Sequence, residues 1–502
     1  MKKIFFAVVV LLASFAMGKT VDFSAVPQKK GVQCVNENGE SVLRFEIAKD
    51  AKSKSNLSEI PVELSEFAGK YVSLSAEVRE IGLHADKSER SPLILNLEVG
   101  LKSGGVKIAR NRIKTEKADG KWTKIGTAMK VPEGAIAKSA VKIGINRASG
   151  VAEFKNLKLE LLDVGLKNKV SSDFKCEYSE AVKKQPVLRG FMTPPPSRFD
   201  EADYRDMAAW GANVARYQIS RNVGKRDTEL DLKEYSEWID FSIAQAKRAL
   251  DAAQKYNMKL IVDLHTPPGG RMKSSQNRMF FERKYFDHYL ATWRKIATAL
   301  KGHPALFGYD LLNEPVQFLN SDLTSAYDCQ YRAALEIRKI DPKIPLVAEI
   351  NIVEWGGGWS DFEPLPLPDV VYSFHIYLPT DYVQQLLRSP KKDQTMSNVK
   401  PYSLTAADLE KFVKIADDFQ KKYGARIYVG EFSVVRWAPD GDKYLDDMIS
   451  VFEKRGWDWT YHAFREASCW DPEYTDDFNP TRAKSDTGRK KTLLRRLGRN
   501  RL

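Results

Sequence analysis

Residues 306–315 read LFGYDLLNEP: a short apolar run that closes on Asn313 and Glu314. A run of this length bounded by turn signals reads as a buried strand, which places Glu314 at the strand's carboxyl end. Residues 427–433, IYVGEFS, repeat the arrangement, with Gly430 before Glu431. Outward from these two stretches the chain alternates strand, loop and helix. The strand candidates are VLRGFM (187–192), NVARYQI (213–219), KLIVDLH (259–265), LFGYDLL (306–312), PLVAEI (345–350), VVYSFHIY (370–377), RIYVGEF (426–432) and DWTYHAF (458–464). Amphipathic helices such as KEYSEWIDFSIAQAKRALDAAQKY and AADLEKFVKIADDFQKKY lie between them. Eight parallel strands with intervening helices predict an α/β fold, a (β/α)8 TIM barrel, over residues 186–502. A doubly wound open sheet is the alternative, but no Gly-rich phosphate loop follows the first strand.

The preceding part has a different rhythm. YVSLSAEVREI, LILNLEVGLK, WTKIGTAMKV, AVKIGINR and AEFKNLKLELL are short alternating strands separated by Gly, Lys and Asp turns. They predict an all-β sandwich of jelly-roll type over residues 19–165. The polar residues 166–185 read as a linker. Met1-Lys2-Lys3 followed by IFFAVVVLLASFA has the basic and apolar regions of a signal peptide, with Ala16 and Gly18 as small residues before a cut at residue 18. That run is short for a membrane span, and no later run approaches the required length. The expectation is a protein that is secreted, periplasmic or at the cell surface, with no membrane span.

Composition narrows the function classes. The net charge of +13 invites a nucleic-acid reading, but the excess is local. Arg482, Lys484, Arg489, Lys490, Lys491, Arg495, Arg496, Arg499 and Arg501 against Asp486 make the final 21 residues strongly basic. A solvated or partly structural helix accounts for such a tail, and contact with an anionic surface or partner is the functional alternative. Cys34, Cys176, Cys329 and Cys469 form no C-x-x-C pair and have no His at ligand spacing, so no metal site is expected. Cys34 and Cys176 flank the sandwich and are candidates for a disulfide, as they are for free thiols.

In a barrel, functional side chains gather where strands end. The polar residues there are Arg216, His265, Asn313, Glu314, His375, Tyr377, Glu431 and His462. Barrel interiors favour branched apolar side chains, so one polar residue is compatible with packing, whereas a cluster at matching positions points to catalysis. Two carboxylates on one barrel face are equipment for cleaving a glycosidic bond with retention of configuration, which requires them about 5–5.5 Å apart. The acid must hold its proton near neutral pH, and a neighbouring negative charge helps by raising its pKa. Neither cofactor nor metal is needed. Trp355, Trp359, Trp437 and Trp470 lie in strand-end loops, where aromatic rings serve as sugar platforms or as packing.

The stretches NVARYQIS, IVDLHTPPGG, GYDLLNEP, FHIYLP and YVGEFS resemble, in order, glycoside hydrolase family 5 over residues 187–500. The resemblance implies a cellulase-like retaining β-glycanase acting on a β-glucan-type polysaccharide, with Glu314 as acid/base and Glu431 as nucleophile. It also implies that Arg216 and Tyr377 hydrogen-bond the nucleophile, that Asn313 meets the sugar 2-hydroxyl, and that His265 and His375 shape the subsite. The family commonly has a Trp at the end of strand eight; here His462 stands there, and Trp470 is a candidate to supply the ring instead. The N-terminal part resembles carbohydrate-binding modules, with Trp122 either core or sugar platform. An endo-β-1,4-glucanase is expected. β-Mannanase, xyloglucanase and exo-β-1,3-glucanase activities remain alternatives, as does a non-catalytic carbohydrate-binding protein.

Overall fold

The computed structural model describes residues 19–21, 23, 26, 28–85, 92–111, 120–134, 136–221, 229–272, 274–350, 362–387, 389 and 394–501. The chain divides into two compact units. In the first, strands β1 (Lys19–Thr20), β2 (Val32–Glu37), β3 (Glu40–Ile47), β4 (Ser55–Pro61), β5 (Tyr71–Ala85), β6 (Leu93–Leu101), β7 (Val106–Arg110), β8 (Thr123–Lys130), β9 (Ile136–Asn146) and β10 (Ala148–Leu161) form two antiparallel sheets. One sheet runs β2-β3-β10-β5-β8 with β1 beside β10, and the other runs β4-β9-β6-β7. Period-2 alternation puts Leu43, Phe45, Val72, Leu74, Leu95, Leu97, Val141, Ile143 and Phe154 into one buried core. Trp122 lies outside that core: the Arg79 guanidinium and the Lys155 ammonium sit 4.6 and 4.7 Å from its ring centroid. Arg79 and Lys155 are in turn paired with Glu37, Glu153, Glu40 and Glu77. This unit also takes in Arg271–Asn277 and Val316–Asp322. Asn320 anchors the latter segment, accepting from the Asp163 N–H at 2.8 Å and donating to the Leu161 carbonyl at 2.7 Å.

The second unit contains a closed parallel barrel of β11 (Arg189–Met192), β12 (Val214–Gln218), β13 (Lys259–Asp263), β14 (Leu306–Asp310), β15 (Leu346–Glu349), β16 (Val370–Ile376), β17 (Arg426–Phe432) and β18 (Asp458–Tyr461). Its helices are α1 (Glu180–Lys183), α2 (Glu201–Trp210), α3 (Leu232–Lys255), α4 (Arg283–Leu300), α5 (Ala326–Ile340), α6 (Thr380–Val383), α7 (Ala406–Tyr423), α8 (Gly441–Glu453) and α9 (Gly488–Leu497). Side-chain caps define where the long helices start. Asp231 accepts from the Lys233 and Glu234 N–H groups, and Thr405 with Asp408 forms a capping box. α3 then buries Tyr235, Ile239, Ile243, Ala246, Leu250 and Ala253, the helical spacing of one apolar face. Residues 165–185 belong to this unit: the Tyr178 hydroxyl donates to the Val370 carbonyl at 3.0 Å and accepts from the Arg426 N–H at 2.6 Å.

The base of the barrel is apolar, a layer of Leu188, Val214, Ile261, Phe307, Val347, Val371 and Tyr428. Two residues further along several strands the inward position becomes polar: Arg216 after Val214, Asp263 after Ile261, Glu349 after Val347. The strands thus run from a hydrophobic floor to a charged mouth. The strands themselves come close at β11, where a Cβ on Gly190 would meet the Val214 carbonyl oxygen at 1.8 Å.

The basic C-terminal segment is largely paired. Arg489 and Arg496 are 2% and 6% exposed. Arg496 bonds Asp446 and Glu453 on α8, Arg495 bonds Asp446, and Arg489 donates to the Tyr474 carbonyl. α9 is therefore a packed element of the barrel wall. All four cysteines, including Cys34 and Cys176, are free thiols.

Candidate active site

Arg216, on β12, is fully buried and gathers carboxylates from four other strands. Nε donates to Asp310 Oδ2 at 2.9 Å, Nη1 to Glu431 Oε1 at 2.9 Å and Nη2 to Glu349 Oε1 at 2.8 Å, while Asp263 Oδ2 is 3.1 Å from Nη2. Nη2 also reaches Asn313 Oδ1 at 3.0 Å. Only guanidinium offers five donors in a rigid fork, so lysine could not replace it here. Asp263 Oδ2 accepts from His265 Nδ1 at 2.8 Å, which leaves His265 Nε2 facing Asn313 Nδ2 at 3.3 Å as an acceptor.

Glu431 is held from both sides: Arg216 on Oε1, and the Tyr377 hydroxyl on Oε2 at 2.7 Å. A bulge aims it. Phe374 pairs with Val429 but His375 pairs with Glu431, leaving Gly430 as the extra residue. A Cβ on Gly430 would meet Ser373 Oγ at 2.7 Å and His375 Nε2 at 2.9 Å, so only glycine fits before the glutamate. Glu314 Oε1 lies 3.0 Å from His375 Nδ1, and His375 Nε2 lies 3.3 Å from Glu349 Oε1. Glu314 has φ of 44°, a left-handed backbone that costs a non-glycine residue on the order of 1–3 kcal/mol. Its N–H donates to Glu349 Oε2 at 2.7 Å. Carboxylate oxygens of Glu314 and Glu431 and a ring nitrogen of His375 all fall within 4.8 Å of one another.

Electrostatics divide the carboxyls. Burial works against a charge on Glu431, but His375, His462 and Arg216 outweigh it and hold the carboxyl well below the usual range. Burial likewise opposes a charge on His375, and the Glu349 and Glu431 carboxylates reverse that, raising it well above the usual imidazole range. Asp310 goes the other way: burial, with Glu349 nearby, raises it well above the carboxylate range against the pull of Arg216. Glu314, His375 and Glu431 are spaced as a cation would accept. Within the trio, His375 Nδ1 and Glu314 Oε1 are hydrogen-bonded at 3.0 Å.

Two close carboxylates at the mouth of a barrel, one clamped by Arg and Tyr, suit a retaining glycoside hydrolase. Residues 181–468, more than half of the chain, match the family described as Cellulase (glycosyl hydrolase family 5). The chain belongs to glycosyl hydrolase family 5. It is therefore a glycoside hydrolase with the retaining chemistry characteristic of that family. Cellodextrinase A of Ruminococcus flavefaciens is 24% identical over 271 residues, covering 51% of this chain and 75% of the relative. Endoglucanase C of Acetivibrio thermocellus is 23% identical over 283 residues, covering 51% and 80%. A hyperthermophilic endo-beta-1,4-glucanase solved in complex with substrate aligns over 59% of this chain and 89% of its own at 18% identity, with a TM-score of 0.44.

In this family 5 enzyme the structure gathers Arg216, His265, Asn313, Glu314, His375, Tyr377 and Glu431 in one network. His462 joins them at the end of β18, its ring perpendicular to Tyr377 at 6.1 Å, with Nε2 2.9 Å from Glu466 Oε2. Trp470 packs 5.9 Å from both Tyr377 and His462, so the ring and the imidazole occupy the strand-eight corner together. Trp437 is not brought to the carboxylates by any contact of this network. It is 6% exposed, packs against Phe478 in a tilted pair at 5.1 Å and donates its indole N–H to the Gln385 carbonyl at 2.8 Å. Trp355 and Trp359 lie outside the described residues. Sequence reading missed Asp263, Asp310, Glu349 and Glu466. For the first three a signal existed: each is an acidic residue inside an otherwise apolar strand, and Asp263 stands two positions before His265, on the same strand face.

Proposed function

We propose that this protein is an exported endo-β-1,4-glucanase that works by double displacement, with Glu431 as nucleophile and Glu314 as acid/base. The observation that carries the assignment is the placement of their carboxylate oxygens within 4.8 Å, a spacing that suits direct attack and leaves no room for an intervening water. A Glu431 Oε lone pair attacks the anomeric carbon as the bond to the leaving oxygen breaks, and Glu314 gives that oxygen its proton. Glu314 then takes a proton from water, whose oxygen attacks the same carbon and releases Glu431. Arg216 and Tyr377 keep the nucleophile ionised and oriented through both steps. Asn313, fixed by Arg216 and His265, would present its amide to the sugar 2-hydroxyl, a bond that strengthens as positive charge develops on the ring. Tyr377, His462 and Trp470 would form one wall of the sugar site, with hydrogen bonding from the imidazole beside the indole ring.

The names of the two relatives, a cellodextrinase and an endoglucanase, support a cellulose-type glucan. Export is supported by the basic start and the apolar run of residues 1–18. The sandwich is proposed as an accessory domain of this enzyme. Because cations cap Trp122, sugar binding there would need a surface other than that ring. The test of the assignment is Glu431→Ala: it should abolish turnover, and azide should restore activity with an α-configured glycosyl azide as product. Without that product the nucleophile role fails. A polysaccharide panel with product sizing tests the glucan and the endo action. Rapid loss of chain length on carboxymethylcellulose or β-glucan is expected, and activity confined to mannan, xyloglucan or chain ends would refute it.

A further inference from the structure

Glu349 closes β15 and takes no part in the chemistry above, yet it meets Arg216, His375 and the Glu314 peptide. Oε2 accepts the Glu314 backbone N–H at 2.7 Å, while Oε1 accepts from Arg216 Nη2 at 2.8 Å and stands 3.3 Å from His375 Nε2. Its own backbone is bracketed by the buried Gln330 of α5. The Glu349 N–H donates to Gln330 Oε1 at 2.8 Å, and Gln330 Nε2 donates to the Glu349 carbonyl at 2.8 Å. The other branch of Arg216, Nη1, grips Glu431. One carboxylate therefore connects the peptide of Glu314, the clamp of Glu431 and the imidazole between them.

Charge balance does not require this residue. Arg216 already meets Asp263, Asp310 and Glu431 within 3.1 Å. What Glu349 adds is an acceptor for the N–H of Glu314, whose left-handed backbone needs a hold from outside its own residue to persist. We propose that Glu349 is a positioning residue that locks Glu314 and Glu431 at their working separation, through the Glu314 peptide on one side and Arg216 on the other. The proposal rests on the roles assigned to those two glutamates.

The test uses full-length Glu349→Gln and Glu349→Asp. Charged hydrogen bonds of this kind set the expected effect. Glu349→Gln should fold normally and lose roughly 10- to 100-fold in kcat on aryl cellobiosides. The loss should appear with good and poor leaving groups alike, with KM changed less than about threefold. A second readout is the His375 imidazole in 15N-histidine spectra. The charged groups facing it are Glu349, Glu314, Glu431 and, just after β18, His462. Removing one anion should make His375 lose its proton at lower pH than in the wild type. Glu349→Asp keeps the charge but is one methylene short of the Glu314 peptide, so it should restore the His375 titration without restoring kcat.

The proposal is overturned if Glu349→Gln stays within twofold of wild type while Glu314→Ala and Glu431→Ala are inactive. It is also overturned if its lost activity tracks lost folded protein, with kcat per titrated active site unchanged. Activity surviving in Glu314→Ala and Glu431→Ala would instead remove the assignment on which the proposal stands.

Discussion

Replacing Tyr377 by Phe removes one oxygen and leaves the ring where it packs. That oxygen donates to Glu431 Oε2 at 2.7 Å, whereas the ring contacts with His462 and Trp470 do not use it. A hydrogen bond to an ionised acceptor in a buried site contributes about 1.5–3 kcal/mol, so kcat/KM should fall roughly 10- to 150-fold. The direction of the pH effect follows from Glu431. Its carboxyl lies below the ordinary value of 4.5, because His375, His462 and Arg216 outweigh the cost of burial. A donor to the ionised form helps keep it there, so losing that donor lets the value rise. The acid limb of kcat/KM, where the nucleophile gains its proton, should move to higher pH. The same linkage acts on stability: the contribution of ionised Glu431 is present above 4.5 and is lost as pH falls through the folded value. In Tyr377→Phe that loss begins at less acid pH. Initial rates on a chromogenic cellobioside across pH, with thermal unfolding measured in the same buffers, read both effects. A variant within twofold of wild type, with an unmoved acid limb, would refute the claim that the phenol tunes the nucleophile.

Other perturbations test other links. Glu314→Ala should lose far more activity on natural glucans than on substrates with good leaving groups, since only the former need protonation; equal losses on both would contradict its acid role. Gly430→Ala puts a methyl group against Ser373 Oγ and His375 Nε2, at 2.7 and 2.9 Å. It should lower kcat at least about tenfold by displacing Glu431 from its clamp, and wild-type rates would mean that the bulge tolerates a side chain. Arg496→Ala removes the one α9 side chain that bridges Asp446 and Glu453, leaving Asp446 to Arg495 and Glu453 to Arg189 and Arg499. It should cost about 1–3 kcal/mol in urea unfolding and leave kcat of the folded enzyme unchanged; an unaltered midpoint would return the basic segment to the solvated surface.

Legibility was high where local pattern and chemistry coincide. The apolar run before Asn313-Glu314 and the Gly before Glu431 mark strand ends, because a buried parallel strand must be apolar until it reaches the barrel mouth. Asp263, Asp310 and Glu349 were harder to see because an acid within an apolar strand is acceptable only if the fold supplies a counter-charge. That counter-charge, Arg216, comes from another strand. Trp437 and Trp470 are both loop tryptophans in sequence. What separates them is whether the loop turns the ring into the wall, as with Trp437, or toward Tyr377, as with Trp470. The basic tail likewise reads as either solvated or partly structural until α8 is placed beside it.

By itself the sequence determined the barrel, the order of its strands and the place of two glutamates at strand ends, because periodicity and residue type are local properties that survive without coordinates. Tertiary structure alone decided the rest: that four carboxylates share one guanidinium, that Asp310 is shifted up while Glu431 is shifted down, and that Glu349 reaches the peptide of Glu314. These depend on distances between residues far apart in the chain and on burial. Both set the energy of a charge, and neither is written in any single stretch.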